Sequence, residues 1–374
     1  MSARSTIVTV VVAAVAAVSI SSSTAADRGH SATQDAMDTE VQQAGAPGVL
    51  GRAEDGGGVW NGASGVAGHG THRPRLAQDR FRIGSLTKPF VAAVLLQLEA
   101  RGELDLDDPV ERWLPGTVRG NGHDGRRITV RQLLGHTSGV YDFTGDPGLR
   151  RGYFSPRFAR HKYDTHEPAD LVRTAMAHPP AFAPGTDWQY SNTNYVLAGM
   201  VIEKVTGRPY AREIERRIVG PLGLRDTSLP GTSARIPGPH GRAYSTLFRT
   251  GTKAREYDVT ALDPSLAGAS GEMIASTGDL VRFMRALLTG DVLPRRQLAE
   301  MKTTVRADGG SRYGLGLTKL KLSCGTTVWG HEGTIHGSRS VAVTTPDGSH
   351  TAAFNINGDR AGDTEKLVEA EYCG

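Results

Sequence analysis

Phe81-Arg82-Ile83-Gly84-Ser85-Leu86-Thr87-Lys88 runs directly into Pro89-Phe90-Val91-Ala92-Ala93-Val94-Leu95-Leu96-Gln97-Leu98-Glu99-Ala100-Arg101. The second segment is apolar on nearly every side, so it predicts a helix buried all round, with Gly102 as its C-terminal cap. Pro89 fits only in the first turn, where no intrahelical N–H bond is lost. Ser85 then stands at the helix start, where free N–H groups and the positive dipole end favour negative charge. Lys88, three residues on, shares a helical face with Ser85 and lies within reach of its hydroxyl. A serine hydroxyl is a weak nucleophile until a base takes its proton. A lysine desolvated against an apolar helix has a lowered pKa and can be that base. Taken alone, the same residues also describe a capping serine beside a surface lysine.

Two further groups stand downstream. Pro184-Gly185-Thr186-Asp187-Trp188-Gln189-Tyr190-Ser191-Asn192 offers a phenol able to pass protons and an amide able to bind both Lys88 and a substrate carbonyl. Its plain alternative is a turn before a helix, with Tyr190 packing. Trp329-Gly330-His331-Glu332-Gly333-Thr334 stands at the end of a predicted strand, where glycines let a substrate backbone approach and pair along the edge. A β-turn with an exposed histidine is the alternative there.

Around these groups, short apolar pieces from Gly48 to Ala67 alternate with turns such as Gly56-Gly57-Gly58 and predict a hairpin. Helices are predicted from Asn194 to Val205, closed by Gly207, and from Ser276 or Thr277 to Gly290. Beyond Tyr313 the pattern turns β-rich, with strands at 326–329, 340–344 and 351–355 and a closing helix at 361–372. The expected architecture is α/β: an antiparallel sheet flanked by helices, built from both ends of the chain, with a mainly helical insertion. The α/β part spans about 46–105 and 270–374, and the helical part about 106–269.

At the N-terminus, Arg4 precedes an apolar run from Ile7 to Ile20, then the small residues Ser21-Ser22-Ser23-Thr24-Ala25-Ala26. That order predicts a secretory signal over residues 1–26. The run of ~14 residues is short for a membrane span, which needs ~20. A secreted protein without a stable membrane anchor is expected. Residues 27–45 read as a flexible segment. Cys324 and Cys373 suit an oxidising compartment, and a bridge between them would contribute ~4 kcal/mol in the chain-entropy model; two buried thiols are the alternative. The net charge is only +4, and its basic residues lack interleaved aromatics, so no nucleic-acid partner is expected.

In this order and spacing, Ser85-x-x-Lys88, Tyr190-Ser191-Asn192 and His331-Glu332-Gly333 together resemble the serine β-lactamases and DD-peptidases. The form is most similar to the soluble extracellular D-alanyl-D-alanine carboxypeptidases and their class C β-lactamase-like relatives. Residues 128–139, 190–207, 276–280 and 313–317 extend the resemblance over roughly residues 45–374, and the cysteine pair also matches. The resemblance implies Ser85 as nucleophile, Lys88 as its base and Tyr190 as proton shuttle. It further implies Asn192 on the substrate amide, His331 tuning the Tyr190–Lys88 pair, and the N–H groups of Ser85 and Thr334, beside Gly333, as oxyanion hole. No metal or organic cofactor is implied. The implied partners are D-amino-acid-containing peptides or peptidoglycan fragments, with β-lactams as inhibitors, acting on a monomer.

The pattern breaks at two positions. Thr318 stands where the resembling carboxypeptidases carry an arginine for the substrate carboxylate, and Glu332 stands where threonine is common. A carboxylate at Glu332 would repel a substrate carboxylate or attract an ammonium; Lys319 or Lys321 are the candidate compensators. A D-stereospecific aminopeptidase, amidohydrolase or esterase on the same scaffold therefore rivals the carboxypeptidase. A β-lactamase and a non-catalytic penicillin-binding protein are further rivals. Gly68-His69-Gly70-Thr71-His72 looks like a subtilisin-type fragment or half a zinc site, but neither the upstream aspartate nor a third ligand cluster accompanies it.

Overall fold

The computed structural model describes residues 29–247 and 255–374; the predicted export signal lies outside the described residues. Helix α1 (Ser31–Gln42) leads into the hairpin β1 (Gly48–Asp55) and β2 (Gly58–Gly65). A short separate pair joins β3 (Phe81–Arg82) to β4 (Ile274–Ala275). The chain's end supplies β5 (Val305–Arg306), β6 (Arg312–Tyr313), β7 (Thr318–Lys321), β8 (Thr327–Ile335), β9 (Ser338–Thr344) and β10 (Thr351–Ile356). With the hairpin they form one eight-stranded antiparallel sheet in the order β2-β1-β10-β9-β8-β7-β6-β5. The early hairpin and the late strands meet between the second and third strands of the sheet, where Val49 pairs with Ile356 and Glu54 with Thr351.

Four more helices matter for the site: α2 (Thr87–Ala100), α3 (Val130–Leu134), α4 (Asn192–Thr206) and α5 (Thr277–Thr289). A fifth, α6 (Thr364–Cys373), closes the chain. Helix α2 is buried from Thr87 through Leu96, as a helix apolar all round must be. It packs on α4, while α5 covers β1, β9 and β10. The opposite face of the sheet is covered by α1 and α6 over Val49, Val328, Val341 and Phe354. The result is a mixed α/β fold, with the antiparallel sheet between helices.

The reading of residues 27–45 as flexible is corrected by α1. Its sequence SATQDAMDTEVQ has too little apolar periodicity to predict a helix. Tertiary bonds hold it instead: Met37 is fully buried, Thr33 donates to Glu371 at 2.8 Å, and Glu40 accepts from the Asp363 N–H at 2.8 Å. A disulfide links Cys324, in the turn between β7 and β8, to Cys373 at the end of α6. Replacing both cysteines by serine is expected to lower the unfolding free energy by up to about 4 kcal/mol. Urea denaturation measures the loss; turnover at 25 °C should be unchanged, because the bridge lies away from Ser85.

The third sequence group is strand, not a strand end followed by a turn. Strand β8 continues through His331 and Gly333 because β9 pairs with it along its whole length, from Trp329↔Thr344 to Ile335↔Ser338. On its other edge β7 pairs only with Thr327–Gly330, which leaves His331–Ile335 without a strand partner. That open edge faces the nucleophile turn.

Candidate active site

Ser85 lies in a single 3-10 turn, Gly84–Leu86, directly before α2. Gly84 has φ of 52°, and a Cβ there would come within 2.8 Å of the Thr334 backbone. Gly333 sits closer still: its Cβ would stand 1.9 Å from the Ile83 carbonyl oxygen. Only glycine permits this approach of β8 to the turn, which brings the Thr334 backbone beside Ser85.

Lys88 is fully buried. Its Nζ lies 2.9 Å from Ser85 Oγ, 2.9 Å from Asn192 Oδ1 and 2.8 Å from the Ser270 carbonyl oxygen. Asn192 is oriented by its Nδ2, which donates to Asp142 Oδ2 at 3.0 Å. Two of the three partners of Nζ can therefore only accept. A neutral amine gives both hydrogens to them and turns its lone pair to the Ser85 hydroxyl. Burial lowers the Lys88 pKa to about 7, against the opposing pull of Asp142.

The Tyr190 ring lies 4.7 Å from Lys88 Nζ. Burial pushes its phenol well above the usual range, while a hydrogen bond with Ser85 draws it back. His331 is buried, and its pKa falls to about 3, first through burial and then through Lys88. Its Nδ1 faces the Glu332 carbonyl, which only accepts, so Nδ1 carries the proton. Nε2 then accepts from the Tyr313 hydroxyl at 2.9 Å. A neutral His331 acts on the Tyr190–Lys88 pair by packing and dipole, not by charge.

Glu332 points away from this group. It stands opposite Val341 on β9, on the face covered by α1 and α6, whereas His331 stands opposite Ala342 on the other face. It nonetheless borders the cleft, because the cleft wraps around the open edge of β8. This lobe, about 560 Å³, runs from Ser85 past Tyr313 and Thr318 to Glu332 and Glu365. A second, mostly apolar pocket of about 110 Å³ opens on the other side of Ser85, lined by Phe143, Tyr153, Phe154, Phe158, Leu262 and Leu266. Among the described residues, no group of three His, Cys, Asp or Glu could hold a metal ion; His69 pairs with Glu256 at 2.9 Å.

The family model described as Beta-lactamase matches residues 33–371. The chain belongs to the Beta-lactamase family. It is thereby a serine hydrolase of the β-lactamase and penicillin-binding protein superfamily. Among solved structures, this beta-lactamase-family chain is similar to a D-stereospecific amidohydrolase from Streptomyces sp., at 55% identity and a TM-score of 0.88, over 92% of this chain and 99% of that one. It is also similar to the D-amino acid amidase from Ochrobactrum anthropi SV3, solved in complex with D-phenylalanine, at 28% identity and a TM-score of 0.80, over 92% and 98%. Penicillin-binding protein 4* of Bacillus subtilis is 28% identical over 326 residues, 84% of this chain and 69% of that protein.

The beta-lactamase-family site also uses residues to which the sequence assigned no role. His136, buried at φ 59°, packs its ring against Tyr190 with centroids 4.3 Å apart and the planes tilted by 32°. Its carbonyl accepts from Gln189 N–H at 3.1 Å and its Nδ1 from Ser191 N–H at 3.2 Å, so it clamps the chain on both sides of Tyr190. Burial holds its pKa well below the usual value, so the ring is neutral and Nδ1 is free to accept. Asp142 fixes Asn192, and Ser270 contributes only a carbonyl. His136 lay in a stretch that carried the resemblance; Asp142 follows it, and a backbone carbonyl leaves no signal in a sequence.

Proposed function

We propose that this protein hydrolyses D-aminoacyl amides and esters through an acyl-enzyme on Ser85, and is not primarily a D-alanyl-D-alanine carboxypeptidase. One observation carries the choice. The lobe that includes Thr318 and Glu332 is lined by Asp308, Glu332 and Glu365, with no lysine or arginine among its described lining residues. In the resembling carboxypeptidases this is the side that holds the substrate carboxylate. The candidate compensators do not reach it: Lys319 lies 5.6 Å over the Trp329 ring, and Lys321 is exposed. A free carboxylate there would meet three acids and neutral groups such as Ser311 and Thr318, and no lining cation. The D-stereospecific amidohydrolase and the D-amino acid amidase among the relatives support the same reading.

In this mechanism Ser85 Oγ attacks the substrate carbonyl while its proton passes to Lys88 Nζ. The developing oxyanion takes hydrogen bonds from the Ser85 and Thr334 N–H groups, each worth about 3 kcal/mol. Asn192 holds the substrate amide. As the C–N or C–O bond breaks, Tyr190 passes its proton to the departing amine or alcohol and takes in return the proton held on Lys88. Water then attacks the ester carbonyl, its proton passing to the Tyr190–Lys88 pair, and that pair returns a proton to Ser85 Oγ as the acyl–oxygen bond breaks. The apolar pocket takes the substrate side chain, and the acids of the other lobe, Asp308, Glu332 and Glu365, attract a free α-ammonium. Penicillin acylates the same serine. The predicted signal supports action outside the cytoplasm, and no helix among the described residues is long and apolar enough to cross a membrane.

The test compares D-phenylalanine amide, its N-acetyl form and an acyl-D-Ala-D-Ala peptide. The amide should be turned over with kcat/KM at least about 100-fold above that of the peptide, a difference of two ion-pair-sized contributions. Glu332→Gln should raise KM for the free-amine amide more than for its N-acetyl form. Faster release of D-alanine from the peptide would return the protein to the carboxypeptidases.

A further inference from the structure

Behind the strand that leads into Ser85, a narrow cavity of about 20 Å³, room for one small occupant, is lined by Arg75 and Arg82, with Arg80, Arg242, Asn355 and Asn357 completing its polar wall. Arg75 and Arg82 are each 2% exposed. Guanidinium groups this deep normally have every N–H paired, because an unpaired buried donor is costly. Here three are unpaired: Nε of Arg75, and Nε and Nη1 of Arg82. The remaining donors are used on neutral oxygens. Arg75 gives Nη2 to Asn355 Oδ1 at 2.7 Å and Nη1 to the Gly48 carbonyl at 3.3 Å. Arg82 gives Nη2 to the carbonyls of Ala234 and Leu262, both at 2.9 Å.

The nearby carboxylates are engaged elsewhere. Asp79 stands 3.6 Å from Arg75 Nε but is bound by both terminal nitrogens of Arg73 at 3.0 and 3.1 Å. Asp263 accepts from Thr165 and from the Ser265 N–H, and Glu272 from Tyr210. Arg80 is paired with Asp226, and Arg242 with Asp258. The cavity therefore has unpaired buried donors and a glycine wall. Gly241 borders Arg75 Nε, where even a Cβ would approach to 3.5 Å. Burial draws the pKa of both arginines down to about 10, against the pull of Asp79 on Arg75 and of Asp263 and Glu272 on Arg82. Asn357 Oδ1, unpaired on the same wall, suits a water molecule beside the occupant.

We propose that this cavity binds a small inorganic anion, held by the unpaired N–H groups of Arg75 and Arg82. The anion bridges β3, which carries Arg82 and leads to Ser85, to β10 through Arg75 and Asn355. It is separate from the catalytic cleft and independent of the substrate reading above.

The test needs no variant. Wild-type crystals grown without halide or sulfate are soaked in bromide or in sulfate. Bromide should give an anomalous peak, or sulfate a tetrahedral density, within hydrogen-bond distance of Arg82 Nε or Nη1; the two soaks tell halide from oxyanion. In solution, the successful anion should raise Tm saturably against gluconate at constant ionic strength, by about 3 °C at ten times its dissociation constant. Arg82→Lys, which keeps the charge but loses the fork, should abolish the saturable shift. Water alone in both soaks overturns the proposal. So does a peak without a saturable Tm shift, which marks an adventitious ion only.

Discussion

Ser85→Ala is expected to lower kcat by at least about 10,000-fold, because the nucleophile is lost and water must attack without an acyl-enzyme. The fold should survive, since Ser85 is partly exposed and its hydroxyl contacts only groups of the site. Intact-mass measurement separates the outcomes cleanly. Wild-type protein incubated with a penicillin should gain the mass of one acyl group, and Ser85→Ala should gain none. An adduct on the alanine variant would place the nucleophile elsewhere and end the mechanism proposed above.

Lys88→Met is expected to cost about 1,000-fold in kcat, the usual range for removing a positioned general base. The pH profile gives the sharper signature. Lys88 titrates at about 7, far below a free lysine, because burial disfavours its charged form. As pH falls below 7, the amine takes a proton and its lone pair is no longer available to Ser85. The wild-type kcat/KM should therefore rise with pH and level off above about 7, and Lys88→Met should lose that acid limb. His331 plays no part in this limb, because its pKa of about 3 keeps it neutral throughout. The stability effect has its own sign. The unfolded chain keeps the Lys88 proton up to the ordinary lysine range, so between pH 7 and that range stability rises with pH. Lys88→Met should flatten this slope in chemical denaturation. An unchanged acid limb in the variant would remove Lys88 from the role of base.

The sheet's two terminal contributions and the buried helix α2 were legible from local pattern, and the meeting of Ser85, Lys88, Tyr190, Asn192 and His331 followed from the family resemblance that their order and spacing carry. Each rests on residues whose chemistry or period is visible in a short window. What was not legible depended on long-range geometry. Helix α1 is held by Glu371, at the far end of the chain, and not by its own amphipathic stripe. The direction of Glu332 followed from the register of β8 against β9, and no motif encodes register. His136 matters because a left-handed turn presents its ring to Tyr190 and its nitrogen to Ser191. A histidine in a loop carries no such message by itself. Ser270 serves through its backbone, so its side-chain identity is silent about the role.

The pairing of β1 with β10 also governs when this enzyme can come into being. Partners such as Val49 and Ile356 lie on the order of 300 residues apart, a separation that makes closure slow and late. A growing chain released as far as β9 has made the nucleophile, its base and the Tyr190 segment. It still lacks the strand that joins β1 to β9, and both would present bare edges. Synthesis must therefore have passed Ile356 before the catalytic turn has its complete sheet to lean on. Until then the chain is inert toward its substrates and exposed to mispairing, so a holding chaperone has most to protect in the interval before its last strand appears.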